Sequence, residues 1–315
     1  MTSYIVRRLL EIAVNLLLVS LLSFAIMWAT PGGPFDELNQ PLSKEAKANM
    51  LAKYQLDKPF YVVWWNYVKN AVQGDFGVSY QYPRESITSL FKKYWINSLI
   101  LGSLSVLWSF PTGAILGVVS ALKRNTWVDR TITTLSLVTV TMPQVALIFF
   151  AVLIFSVQLK WLPWGNGRDL MKQELRFLIM PVVIFGLPTV GTLARYVRSG
   201  MLEVLGQDYI RTARAKGLAY GTVVLKHALR NMLIPIVTIF GPTLANAFTG
   251  SALVEIFFLI PGIGGFFLSS VFARDYPLLM AVILVGSFIL SLTYLISDVA
   301  YGIIDPRIRV GGGRR

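Results

Sequence analysis

The chain has 315 residues, of which 55% are hydrophobic and 14% charged, with no cysteine, a single histidine and a formal net charge of +13. Soluble domains carry about 25% charged residues, so this composition excludes an ordinary soluble fold and reads as a polytopic membrane protein. Thiolate and multi-histidine metal sites are excluded on residue counts, and the positive charge is explained by Lys and Arg collecting at cytoplasmic membrane edges rather than by a nucleic-acid partner.

A helix crossing about 30 Å of hydrocarbon needs roughly 20 mostly apolar residues. The first such run, Leu9–Ala29, follows Arg7 and Arg8 and is stopped by Pro31-Gly32-Gly33-Pro34. It is long for a signal-peptide core and reads as an uncleaved first span with its N-terminus in the cytoplasm. A long external segment follows, from Pro31 to about Trp95. It holds an amphipathic stretch, Ser43–Tyr54, and an aromatic cluster of Phe60, Tyr61, Trp64, Trp65 and Tyr67. Such rings suit a membrane–water interface; they either anchor the segment or form a docking surface for an external partner.

Five further spans are expected at Asn97–Leu122, about Ile132–Leu159, about Phe177–Val197, about Met232–Phe258 and about Leu278–Ile304. Alternation then places two short basic loops in the cytoplasm. One holds Lys123, Arg124 and Arg130; the other holds Arg195, Arg198, Arg211, Arg214, Lys216, Lys226 and Arg230. The opposite topology would put both on the wrong side. Both termini are expected to be cytoplasmic. Pro111, Gly113, Gly117, Pro143, Pro181, Pro188, Gly241 and Pro242 interrupt the second to fifth spans, which fits either close helix packing or a core that changes shape.

The loop at 198–231 is the most informative feature. Most connections are far shorter, and Asp208, Tyr209, Arg211, Thr212, Ala213, Arg214, Ala215, Lys216 and Gly217 read as a short water-exposed helix ended by a glycine. Helical spacing places Arg211, Arg214 and Leu218 along one face and Tyr209, Ala213 and Gly217 along another. A charged face beside a small-residue face suits docking by a soluble protein. A second basic helix carrying Lys226, His227 and Arg230 is expected before the chain re-enters near Pro235.

The run Gln207–Leu218, followed by His227-Ala228-Leu229-Arg230-Asn231 and Pro235, resembles the coupling loop of ATP-binding cassette (ABC) importer permeases, most closely the oligopeptide/dipeptide branch. The superfamily motif is Glu-Ala-Ala, three residues, then Gly. Ala213 and Gly217 hold their places, while Arg211 and Thr212 stand where Glu and the first Ala would be, a departure usual in the peptide branch. Tyr4–Leu9, Ala29–Phe35, Gln73–Gly77, Pro261–Gly264, Arg274–Tyr276 and Asp305–Arg309 extend the resemblance over nearly the whole chain.

The resemblance implies an all-α, six-span type I importer permease. It divides the chain into an N-terminal end and first span (1–30), an external segment (31–96) and a core (97–315). It also implies a second homologous permease as heterodimer partner, two cytoplasmic ATPases on the coupling segments, and an extracytoplasmic peptide-binding protein. The chain would sit in lipid as a multi-pass protein of the bacterial cytoplasmic membrane. ATP and Mg would be bound by the ATPases and no cofactor by this chain, which has no Gly-x-x-x-x-Gly-Lys-Ser/Thr phosphate loop.

Hydroxyls and amides inside the spans, including Ser98, Ser103, Ser105, Thr189, Thr192, Asn246 and Thr249, are candidates for a translocation path or for interhelical hydrogen bonds. Glu255 lies near the outer end of the fifth span, either as a functional buried acid or at the interface. The apolar, glycine-rich stretch after it, with Pro261, Gly262 and Gly264, folds back either as an outer gate or as an interfacial turn. Asp298 suits a helix contact better than proton transfer. An ion-gradient-driven transporter would need mid-membrane ionisable groups, a membrane enzyme would need a convergent catalytic set, and a channel would not require the basic loop. Cargo stays open between peptides, nickel chelates and glutathione.

Overall fold

The computed structural model describes residues 2–32, 49, 51–165, 170, 174–224 and 229–304. Most of the amphipathic stretch Ser43–Tyr54, the residues Lys226 and His227, the motif from Asp305 onward, and the side chains of Arg214, Arg230, Pro235 and Asp298 lie outside the described residues.

The helices run in the expected order. They are α1 (Thr2–Ala29), α2 (Phe60–Val72), α3 (Ile87–Leu122), α4 (Trp127–Thr141), α5 (Gln144–Ala151, continued by a π-helical turn Val152–Gln158), α6 (Leu175–Leu205) and α7 (Asp208–Ala215), then α8 (Leu229–Thr249), α9 (Ala252–Phe257), α10 (Ile263–Phe272) and α11 (Tyr276–Ile304). Four of them contain stretches long and apolar enough to cross a bilayer: Ile5–Ala29, Ile87–Leu122, Leu175–Leu205 and Tyr276–Ile296. Helix α8 occupies the place of the expected fifth span.

Several expected spans differ from the structure, and the fourth runs past Val197 to Leu205, into the expected 198–231 loop. The second span begins ten residues earlier than Asn97, because Ser86 caps α3 by accepting from the Ser89 amide. At 36 residues, α3 is about 54 Å long at 1.5 Å per residue, so it outreaches the hydrocarbon. The third span is not straight. Its two halves meet at 111°, because Pro143 lacks an amide donor and forces Met142 out of the helical region, to ψ 134°. The fifth ends at Thr249, where Gly250 takes φ +79°; the remainder of the expected span folds back as α9 and α10.

Small residues bring the central helices together. A Cβ on Gly117 would lie 2.6 Å from the Ala194 carbonyl oxygen, and one on Gly113 would lie 3.0 Å from that of Val190, so α3 and α6 approach backbone to backbone. Gly191 of α6 meets Ser136 of α4, and Gly102 of α3 meets Ala247 of α8, in the same way. With little hydrophobic drive between helices in lipid, such close approach supplies the packing energy. Two hydrogen bonds to the Val182 carbonyl, from Ser105 Oγ and Trp108 Nε1 at 3.0 Å each, further fix α3 on α6.

The described part of the segment after α1 is fastened to α1 and α11. Phe60, Trp64 and Tyr67 pack with Phe24, Met27 and Met280. Trp64 Nε1 donates to Ser20 Oγ at 3.1 Å, and Tyr67 Oη to the Pro277 carbonyl at 2.9 Å. Asp275 accepts from Ser79 Oγ and the Gln81 amide while also capping α11 through the Leu278 amide. The aromatic cluster thus splits: these three rings anchor, whereas Tyr61 and Trp65 stay exposed.

Candidate coupling surface and translocation path

Helix α7 has only eight residues, too few to be stable alone in water. Tertiary burial holds it. Ile210 and Ala213, one turn apart, enter a cluster with Ala121, Leu193, Val197, Met201, Val223 and Val224. The small-residue face expected for docking is therefore turned inward at Ala213, while Tyr209 remains 42% exposed. Asp208, Arg211, Thr212, Ala215, Lys216 and Gly217 are exposed. Gly217 takes φ +77°, and the Leu218 amide reaches back to the Ala213 carbonyl, the left-handed glycine ending of a helix. The result is a polar, largely basic outer face on a helix whose inner face is continuous with α3 and α6.

Beside this cluster lies a charged clasp that residue patterning did not single out. Asp129, in the first turn of α4, accepts from Arg198 Nε at 2.6 Å and Nη2 at 2.8 Å, from Ser120 Oγ of α3, and from the Asn125 amide at 2.9 Å. The Arg198 guanidinium, with the Ser120 and Asn125 donors, holds the buried Asp129 carboxyl well below the usual carboxylate range. Asp129 had a visible signal: it is the one acid in a short loop otherwise carrying Lys123, Arg124 and Arg130.

Between α3, α6 and α8, and closed at one side by the first residue of α5, is a cavity of about 250 Å³. Ser105, Ser109, Gln144, Thr189, Thr243 and Asn246 supply its polar groups, and Gly102, Gly186, Val106, Phe185, Pro188 and Ala247 the rest. Of the expected path residues, Ser105, Thr189 and Asn246 line it. Ser103 is exposed on α3 and Thr192 half-buried on α6, and neither lines it. Thr249 Oγ1 turns back to the Ala245 and Asn246 carbonyls of its own helix. Gln144 and Thr243 were not anticipated, since only the break at Pro143 directs Gln144 into the wall.

Glu255 does not line the cavity. It is completely buried, with Oε1 accepting from Ser98 Oγ at 2.7 Å and Oε2 from the Gly265 amide at 2.8 Å. Ser98 Oγ accepts in turn from the Ile263 amide at 2.9 Å. Gly262 and Gly264 pack so tightly on this carboxyl that a Cβ would lie 2.5 and 3.0 Å from its oxygen. The Pro261 carbonyl accepts from Asn97 Nδ2 at 2.8 Å. The 250–265 stretch is thus a hairpin latched onto α3 by Asn97 and Ser98.

A bundle with helices of membrane-crossing length, a polar cavity, a latched hairpin and a short basic helix rooted in the core fits an integral-membrane transport permease. The chain matches the family described as binding-protein-dependent transport system inner membrane component over residues 113–310, and the family described as the N-terminal part of the binding-protein-dependent transport system membrane component over residues 1–96. It is 37% identical over 314 residues to the oligopeptide transport system permease protein AppB of Bacillus subtilis, 34% over 310 to the dipeptide permease DppB of the same organism, and 36% over 310 to the oligopeptide permease OppB of Escherichia coli K12. Each alignment covers 98% of this chain and at least 99% of the relative. A solved structure of the MetNI methionine ABC transporter in an inward facing conformation shares the fold, with a TM-score of 0.57 at 18% identity over 69% of this chain and 96% of that one. The chain belongs to the ABC importer permeases, in the oligopeptide/dipeptide branch. It is a multi-pass transport subunit of the inner membrane and not an enzyme.

Proposed function

We propose that this chain is one half of a heterodimeric permease that imports oligopeptides or dipeptides across the bacterial cytoplasmic membrane by alternating access. Two ATPases, which hold the ATP and Mg, dock on α7 and on its counterpart in the second permease. An external binding protein delivers the cargo. Both termini and α7 face the cytoplasm, in keeping with the basic short loops.

The observation that carries this reading is the two-sidedness of α7. Its polar face is open to a partner, while Ile210 and Ala213 are embedded among residues of α3 and α6, helices that also line the cavity. A displacement of α7 is therefore passed to the cavity walls through packed side chains. The cavity suits transient passage. Its described lining residues offer hydroxyl and amide groups but no Asp, Glu, Lys, Arg or His. It can hydrogen-bond a peptide backbone without selecting side-chain charge, and without the depth of binding that would oppose release. The same lack of ionisable lining speaks against ion-gradient coupling.

The test is the complete importer in proteoliposomes. Arg214→Glu and Gly217→Trp are expected to abolish both peptide uptake and peptide-stimulated ATP hydrolysis while the subunit remains in the membrane. Survival of both activities in both variants would refute the coupling role of α7. Mass spectrometry of ligand co-purifying with the binding protein separates peptide from nickel chelate or glutathione.

A further inference from the structure

The geometry points to Asp129 and Arg198 as a positioning pair that makes the inner ends of α3, α4 and α6 move as one block with α7, so that displacement at the cytoplasmic face reaches the cavity wall at Gln144. This rests on the coupling role proposed for α7.

The path can be followed residue by residue. The inward face of α7 bears on Val197 and Met201 of α6 and on Ala121 at the end of α3. Arg198 directly follows Val197, and Ser120 directly precedes Ala121. Both reach Asp129, which also holds the Asn125 amide of the intervening turn. One carboxyl group thus ties three helix ends beside the seat of α7. A bidentate guanidinium–carboxylate pair fixes orientation as well as distance, so α4 follows rotation of α6 and not only its translation. Farther along, Gly191 lets α6 lie against Ser136 of α4, which keeps the two parallel paths in register. Helix α4 then runs to the Met142–Pro143 elbow, beyond which Gln144 stands in the cavity wall beside Thr189 and Asn246. Because the elbow has no continuous helical hydrogen-bond ladder, it is where motion of α4 re-aims Gln144.

A pair that merely stabilised the fold would alter yield and melting, not the conversion of ATP turnover into transport. The experiment therefore uses the assembled importer with Asp129→Asn, Arg198→Lys and the exchange D129R/R198D. The expected result is that ATP hydrolysed per peptide imported rises at least about fivefold in the single variants, the low end of a site-to-site coupling, with assembly retained, and falls back toward wild type in the exchange. An unchanged ratio in assembled single variants overturns the proposal.

Should a variant assemble poorly, a second readout decides. The chain has no cysteine, so spin labels at Arg130→Cys on α4 and Lys216→Cys beside α7 are unique; both positions are exposed. With the clasp intact, their distance distribution is expected to stay the same with and without trapped nucleotide. In Asp129→Asn it is expected to become nucleotide-dependent. Identical behaviour in the two proteins overturns the proposal. Ile210→Asp separates the two readings: if that variant transports with a normal ATP ratio, the coupling role of α7 fails, whatever the clasp does.

Discussion

Replacing Ser98 by Ala tests whether the 250–265 hairpin is held by one hydroxyl. Ser98 is fully buried, and its Oγ both donates to Glu255 Oε1 and accepts from the Ile263 amide. Alanine removes both bonds and admits no water in their place, leaving the Glu255 carboxyl one donor short and the Ile263 amide without its acceptor. Each buried group left so costs about 1–3 kcal/mol, and a combined cost near the low end, about 3 kcal/mol, multiplies the opening of the hairpin by about two orders of magnitude at 1.4 kcal/mol per tenfold. Hydrogen exchange reads this directly, since local opening sets amide protection. The amides of Ile263, Gly264 and Gly265 are expected to exchange about 100-fold faster in S98A, with those of α6 unchanged. Ser103→Ala, on an exposed position of the same helix, serves as the control. Protection of the 263–265 amides within about threefold of wild type would show that Ser98 does not hold the hairpin and that the latch lies elsewhere.

Gly117→Ala places a methyl 2.6 Å from the Ala194 carbonyl oxygen and must part α3 from α6; overpacking of this kind costs about 1–3 kcal/mol, visible as a lower melting temperature of the purified importer. Gly217→Ala meets no atom within 4 Å but sits at φ +77°, so it is expected to cost about 1–2 kcal/mol through backbone strain alone, read as faster exchange at the end of α7, whereas Gly217→Asn should cost less. The clasp sets a pH dependence of known sign. Because the folded-state carboxyl of Asp129 is held below its unfolded value by Arg198, the stability it contributes is fully present above a pH of about 4, the ordinary Asp value, and is lost as pH falls through the folded value. Melting temperature against pH should therefore show an acid-side loss that Arg198→Gln diminishes; identical curves for the two proteins would contradict the pairing.

How legible the molecule was depended on whether a feature was local. The break at Pro143 sits inside a run of suitable length and hydropathy, so Ile132–Leu159 reads as one span; the 111° bend arises because Met142, ahead of Pro143, leaves the helical region at ψ 134°, unlike the residues around Pro111, Pro181 and Pro188, which remain inside continuous helices. Glu255 illustrates the opposite limit. Its type and position suggest an interface or a path, and its actual partners, Ser98 and Gly265, lie 157 and 10 residues away. Helix α7 falls between. Its glycine ending and exposed charges follow from spacing, but the inward turn of Ala213 does not, because helical periodicity orders faces without saying which one the rest of the protein covers.

The amino-acid order by itself determined that this is a polytopic membrane protein, where its apolar runs lie, and which short basic segment stands apart from them, because hydropathy, charge and helix-ending glycines act over a few neighbouring residues. Only the tertiary structure decided that Asp129 binds Arg198, that Gln144 and Asn246 share a cavity, and that Glu255 is sealed beneath glycines. Those outcomes depend on which helices approach closely enough for a side chain to replace water, and that distance is set by packing between segments far apart in the chain.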